Sequence, residues 1–184
     1  MPLLTEYVRR RRYAAIQPFI QGAVLDIGCG IAVTALSLEA AHRYVGVDVN
    51  AALVVDMRRR FPQYEFHCCD VDREPLPVGD QRFNTVLLVA VLEHLTNPGW
   101  VLEQVADCLH PAGRLVITTP TPLGLRLHRW GARLGLFHPH AAEEHQRAYE
   151  RRALETLLAA HGFRVVLYRR FELGANQLVV GRMG

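Results

Sequence analysis

Asp26 lies within Val24-Leu25-Asp26-Ile27-Gly28-Cys29-Gly30, an apolar run that passes through one carboxylate into two closely spaced glycines. Glycine at 28 and 30 removes side chains where the chain must turn sharply and approach a ligand with its backbone. A helix opening just beyond would offer free amides to partial negative charge. The combination suits a mononucleotide-type ligand. A pyrophosphate fits poorly, because the third glycine of the dinucleotide fingerprint falls at Val33, which is bulky and β-branched. Asp26 argues the same way, since a carboxylate repels pyrophosphate but accepts hydrogen bonds from an ammonium group. Asp48 ends the next apolar run, eighteen positions after Gly30, where a carboxylate can take both ribose hydroxyls. Asp70 ends the third run, in Cys68-Cys69-Asp70-Val71. Among residues able to move a proton, His94 comes first, with a reference pKa near neutrality, and His145 and His140 follow.

These carboxylates need a frame that brings several strand ends to one edge. Short runs rich in Val, Ile and Leu alternate with longer stretches of apolar residues at helical spacing, the pattern of a parallel sheet covered by crossover helices. Strands are expected at Ala23 to Ile27, Tyr44 to Val47, Glu65 to Cys69, Thr85 to Val89, Arg114 to Thr118, Arg164 to Arg170 and Gln177 to Val180. Helices are expected over Leu4 to Phe19, over about Val33 to Ala41, from an Asn50 cap to Pro62, from Asn97-Pro98 to Pro111, and around Leu154 to Leu158 with Gly162 in the C′ position. In open α/β sheets ligands bind beyond the carboxyl ends of the strands, where all three aspartates fall. The stretch from Thr119 to Tyr149 fits neither period and is too long for an ordinary connection, so it reads as a lid or acceptor region. Inside it Leu123, Leu127, Trp130 and Leu134 recur at helical spacing beside Arg126, Arg129 and Arg133. This could be a basic amphipathic helix that touches a membrane or grips an acidic substrate, or a lid packed on the core.

The strand, Asp26 and the two glycines resemble the first motif of class I S-adenosylmethionine-dependent methyltransferases, with Ala32 where a third glycine is usual. Asp48 and Asp70 match the second and third motifs. Val89-Ala90-Val91-Leu92-Glu93-His94-Leu95 is similar to the stretch after the fourth strand in small-molecule members, of the kind found in ubiquinone and menaquinone biosynthesis, with Asn84 in place of an acidic residue. Leu109 to Leu115 resembles the turn into the fifth strand, with Ala112 for a glycine. The resemblance implies a Rossmann-like doubly wound sheet of about seven strands, mostly parallel with the last antiparallel, in three α/β/α layers. It implies S-adenosyl-L-methionine as cofactor, leaving as S-adenosyl-L-homocysteine, held by Asp26, Gly28, Cys29, Gly30, Asp48, Val49, Asp70, Val71, Ala90 and Glu93, with His94 and His145 as candidate bases.

Composition bounds the rest. With 184 residues, half of them apolar, residues 1–184 read as one domain with an N-terminal helix over 1–20 and the lid over 119–149. The longest apolar run, Val86 to Leu92, is too short to cross a bilayer and the N-terminus is too charged for a secretory segment, so a cytoplasmic location is expected. The four cysteines form neither a disulfide framework nor a C-x-x-C pair, and the spacing of His138, His140 and His145 matches no helix-face ligand set, so no metal is expected. Net charge is +3, with all the positive charge carried by arginine, one dense run at Arg9 to Arg12 and no aromatic platform beside it, which disfavours nucleic acid. A small-molecule or lipid-like methyl acceptor is expected, with transient membrane contact through 123–134, in a monomer or homodimer. The competing readings are a cofactor-binding scaffold or sensor and a nicotinamide-dependent oxidoreductase.

Overall fold

A computed structural model describes residues 3–31, 38–39, 41–133 and 148–184, with the backbone alone described at 3–6 and 128–133. Helix α1 spans Leu3–Ile16 and passes into a 3-10 turn, Gln17–Phe19. The expected helix extends to Phe19; regular α-helix stops earlier because Pro18, with no N–H to give, sits in that turn. Then follow β1 (Ala23–Ile27), β2 (Arg43–Asp48), α2 (Ala51–Arg60), β3 (Glu65–Cys68), β4 (Phe83–Val89), α3 (Pro98–Cys108), β5 (Leu109–Pro120), α4 (Pro122–Arg133), α5 (Arg151–Ala160), β6 (Phe163–Phe171) and β7 (Asn176–Met183). The helix expected over about 33–41 falls mainly outside the described residues.

The strands form one seven-stranded sheet in the order β3-β2-β1-β4-β5-β7-β6. The first five run parallel, and β7 lies antiparallel between β5 and β6. The sheet alternates its side chains between two apolar layers. Val24, Leu87, Val116 and Leu178 meet Tyr13 and Ile16 of α1 and Val54 and Met57 of α2. Leu25, Ile27, Val86, Leu88 and Ile117 meet Val101, Leu102 and Val105 of α3 and Leu154 and Leu158 of α5. The fold is therefore a three-layer, Rossmann-like α/β/α sandwich.

Local chemistry sets the element ends. The Asn50 side chain accepts from the Leu53 amide at 3.1 Å and the Asn97 side chain from the Trp100 amide at 3.3 Å, capping α2 and α3. Gly162 takes φ +79° just beyond α5, the left-handed residue that ends a helix cheaply only as glycine. Strand β5 begins earlier than expected, at Leu109, which pairs with Phe83 before a shift in register. Gly113 permits that approach, since a Cβ there would lie 2.9 Å from the Phe83 carbonyl oxygen.

The stretch expected as a lid holds a helix where the helical spacing over 123–134 predicts one. Thr119 and Pro120 finish β5, and Pro122–Arg133 forms α4. Residues 134–147, with His138, His140 and His145, lie outside the described residues. The start of α4 is fastened to the β6–β7 turn: the Thr121 hydroxyl donates to the Gly174 carbonyl at 2.7 Å and its amide to the Ala175 carbonyl at 2.9 Å. Among the described residues no helix is long and apolar enough to cross a membrane.

Candidate functional site

Strand order reverses between β1 and β4, because the chain first builds outward to β2 and β3 and then returns to the other side of β1. Crossovers leave that point in opposite directions, which opens a crevice beyond the strand ends. The loop after β1 borders it, with Gly28 at φ +68° and Gly30 at φ +49°. The amides of Gly28 and Cys29 both donate to the Val47 carbonyl, at 2.7 and 3.0 Å, tying the loop to β2. The two glycines are there for different reasons. A Cβ on Gly28 would overlap a methyl of Val91 in the turn after β4, whereas one on Gly30 would meet no atom of the described residues within 4 Å.

Asp48 closes one side. Its carboxylate accepts from the Gly30 amide at 2.8 Å and from the Asn50 amide at 2.9 Å, so the side chain is oriented before any ligand arrives. A carboxylate offers about four acceptor positions, so capacity remains for a second set of donors. Val49 beside it is exposed. Past β3, Asp70 is half-buried; it accepts from the Asp72 amide at 3.2 Å and lies 3.6 Å from the Arg73 guanidinium, with Val71 buried next to it. The Asp72 carboxylate in turn holds the amides of Thr96 and Asn97.

After β4 the backbone of Ala90 adopts φ +58° while its amide donates to the Thr118 carbonyl at 2.8 Å. For an alanine this conformation costs roughly 1–2 kcal/mol, and strain of that kind collects at functional turns. Glu93 follows, fully buried, and neither carboxylate oxygen has a partner among the described residues. His94 is half-buried at the same turn, and its amide donates to the Val91 carbonyl at 2.8 Å.

Asp26 is placed differently from the other two aspartates. Alternation along β1 turns it toward α1 and α2, where it is fully buried near Tyr13, Cys29 and Tyr44. One oxygen accepts from the Tyr44 hydroxyl at 2.7 Å, and the other has no partner among the described residues. Burial lifts its carboxyl to about 7; the Tyr44 hydrogen bond works against that rise, and the charge of Asp48 adds to it. The same burial raises the Tyr44 hydroxyl, and the neighbouring carboxylate adds to the effect.

Several groups at this end of the sheet were not singled out from the sequence. Tyr44 is Asp26's partner, and its only sequence signal is a hydroxyl inside an otherwise apolar strand. Thr118, Thr119 and Tyr149 each bury a hydroxyl that has no partner among the described residues. Thr118 and Thr119 close β5, a pair of polar residues where the apolar run stops. Asn84, which stands where an acidic residue is usual, serves the sheet itself, because its side-chain oxygen accepts from the Ala23 amide at 2.9 Å and joins β4 to the start of β1. Among the described residues no group of three or more His, Cys, Asp or Glu side chains is placed to hold a metal ion.

A family model described as a methyltransferase domain matches residues 5–168. A tRNA U34 carboxymethyltransferase from Syntrophotalea carbinolica is 30% identical over 128 residues, 65% of this chain and 40% of that protein. A ubiquinone biosynthesis O-methyltransferase from Coxiella burnetii is 29% identical over 116 residues, 60% of this chain and 49% of that protein. The chain thus spans less than half the length of either relative. The solved structure of an S-adenosylmethionine-dependent methyltransferase from Clostridium acetobutylicum superposes with a TM-score of 0.73 at 11% identity, covering 99% of this chain and 95% of that one, a likeness of fold.

Proposed function

This chain belongs to the methyltransferase-domain family, in its class I, S-adenosylmethionine-dependent form, and we propose that it moves the methyl group of S-adenosylmethionine to a small or lipid-like acceptor. The observation that carries the reading is the pre-oriented Asp48 beside Gly30, whose Cα no other described residue crowds, at the reversal of strand order. A nucleoside needs a backbone it can approach closely and a carboxylate for its ribose, and both are supplied there. The unpartnered Asp26 oxygen fits the ammonium of an amino-acid moiety, a donor able to satisfy a buried carboxylate. Asp70 and the Val71 amide are assigned to the adenine edge, and Cys29, Val49 and Ala90 to the walls. The nicotinamide reading gives way to the family match.

When bound, the cofactor supplies an activated methyl on a sulfonium. The chain's own part is chiefly to hold, orient and dry. Asp48 fixes the sugar and with it the depth of insertion. Ala90, locked by its bond to Thr118, sets the wall on the acceptor side. His94 is the group at this turn able to take a proton from an acceptor hydroxyl or amine, His145 is the further candidate, and Glu93 is assigned to the cofactor side.

The names of the two relatives point one to tRNA and one to ubiquinone biosynthesis, so the acceptor has to be decided by experiment. Calorimetry of the chain with S-adenosylhomocysteine and with NADH is the first test, and only the former should bind. Asp48→Ala should then weaken binding about tenfold or more, the size expected when a charge-assisted pair of hydrogen bonds is lost. Tighter binding of NADH, or an Asp48→Ala protein that binds normally, sinks the reading. Tight binding without turnover across phenols, amines and lipid head groups would favour a scaffold instead.

A further inference from the structure

The β6–β7 turn carries an unusual pair, Glu172 and Leu173, both with left-handed backbone at φ +53° and +55°. Leu173 is fully exposed, at 102% of its reference area. A leucine held in a strained conformation with nothing packed on it gains nothing for the fold. Directly beside it, α4 rests on Gly174 and Ala175 through Thr121 and Gly124. Gly124 faces the turn, and Leu123 and Leu127, one helical turn apart, are about half exposed, at 49% and 53%. Three leucines therefore stand unburied around one turn, flanked by the exposed Arg126.

On the other side of the turn lies a groove of about 390 Å³ between α1 and β6, lined by Arg11, Ala14, Ala15, Arg169, Arg170, Phe171 and Glu172. Arg11 and Arg169 are exposed there, and Arg170, also exposed, donates from its guanidinium to the Tyr168 hydroxyl at 3.0 Å. Among the described residues that line the groove Glu172 is the one acid; its carboxylate accepts from the Asn176 amide group, and burial raises its carboxyl. Arg12 is held aside by two bonds to Asn176, at 2.9 and 3.2 Å. The patch thus joins apolar side chains at a tip to arginines on both flanks. A bare polyanion would need the arginines but not the leucines, and a second protein would be served poorly by a projecting strained tip. A lipid surface with anionic head groups uses both.

We propose that the β6–β7 turn and the first half of α4 dock this chain on an anionic lipid surface, with Leu123, Leu127 and Leu173 entering the head-group layer and Arg11, Arg126, Arg169 and Arg170 meeting phosphates. The patch lies at the carboxyl rim of the sheet. β7 neighbours β5, which neighbours β4, so it stands two strand spacings, roughly 10 Å, from the crevice rim. An acceptor dissolved in the lipid would then be held close to the crevice rim, on the side of Ala90 and His94. That last step rests on the methyl-transfer reading; the docking surface does not.

The test is flotation of the full chain with vesicles of phosphatidylcholine alone and of phosphatidylcholine mixed with phosphatidylglycerol, read beside calorimetry with S-adenosylhomocysteine. Binding to the mixed vesicles only is expected, weakening steeply with salt. Leu173→Asn removes the apolar tip while placing a residue that tolerates φ +55°, so it should keep the melting temperature and lower vesicle binding. Arg169→Gln with Arg170→Gln should lower it about tenfold or more. Both variants should bind S-adenosylhomocysteine as the parent does. The proposal is overturned by equal binding to neutral vesicles, by an unaffected Leu173→Asn protein, by tighter binding of a single-stranded RNA oligomer that depends on the arginines alone, or by a dimer that Leu173→Asn dissociates. Vesicle binding with no S-adenosylhomocysteine binding would leave the docking surface standing and refute the cofactor reading.

Discussion

Asp26→Asn is expected to make the ligand-free protein harder to unfold at pH 8 while weakening its hold on S-adenosylhomocysteine by about tenfold or more. The two effects have one origin. The Asp26 carboxyl is raised from 3.8 to about 7 chiefly because it is buried, so at pH 8 the folded chain carries a desolvated charge that the unfolded chain would leave in water. For an acid shifted upward the folded state binds more protons between the two values, so stability is lost as pH rises from about 4 to 7 and stays lost above. The full span corresponds to about 4 kcal/mol as an upper bound, worth several degrees of melting temperature in a chain of this size. Asparagine escapes that cost and still offers Tyr44 an acceptor. The gain should shrink as pH is lowered toward about 4. Cofactor binding, on the proposed assignment, needs the ionised carboxylate, so the parent's affinity should fall below about pH 7 and the variant's should stay flat. Melting curves at about pH 5 and pH 8 with parallel calorimetry decide the matter; a variant destabilised equally at both pH values, or with parent-like affinity, would remove Asp26 from the cofactor site.

The second large effect is Gly124→Ala. In an unobstructed helix this exchange would stabilise by about 1 kcal/mol, because alanine is the better helix former. Here the new Cβ would overlap the backbone carbonyl oxygen of Ala175. A flexible side chain could rotate away, but a carbonyl that also accepts from the Thr121 amide cannot. The clash outweighs the propensity, and a net loss of about 2–3 kcal/mol is expected, at the upper end of overpacking costs, visible as a lower urea midpoint. The alternative outcome, a more stable protein, would mean that α4 is free to lift off the turn.

Where the sequence was easiest to read, geometry and composition coincided. The strand ending in Asp26-Ile27, the Asn50 and Asn97 caps and the Gly162 terminator each carry a local signal strong enough to fix an element, and β1 falls at the expected residues. Tertiary pairing decided what local signals could not. Leu109 to Gly113 looks like a turn because of Pro111 and Gly113, yet it is drawn into β5 by pairing with Phe83. Asp26 shows the limit most clearly. Its type and position point to a ligand contact, but its burial on the face opposite Leu25 and Ile27, and its hydrogen bond to a tyrosine of the neighbouring strand, depend on strand pairing that the local sequence does not carry. The hydroxyls of Thr118, Thr119 and Tyr149 share one end of the molecule only through the sheet order, which no local pattern encodes.

The unequal placement of the four thiols gives experimenters a built-in handle. Cys29, Cys69 and Cys108 are buried, with thiols pushed upward by that burial, to about 11 for Cys69 and Cys108. Cys68 alone is exposed, opposite Asp48 in the β2–β3 register and 3.6 Å from the Val49 carbonyl. A maleimide fluorophore should therefore mark one position without mutagenesis, at the crevice mouth. Its emission, or its protection from labelling, would count occupied molecules in real time, turning a wild-type chain into its own binding sensor.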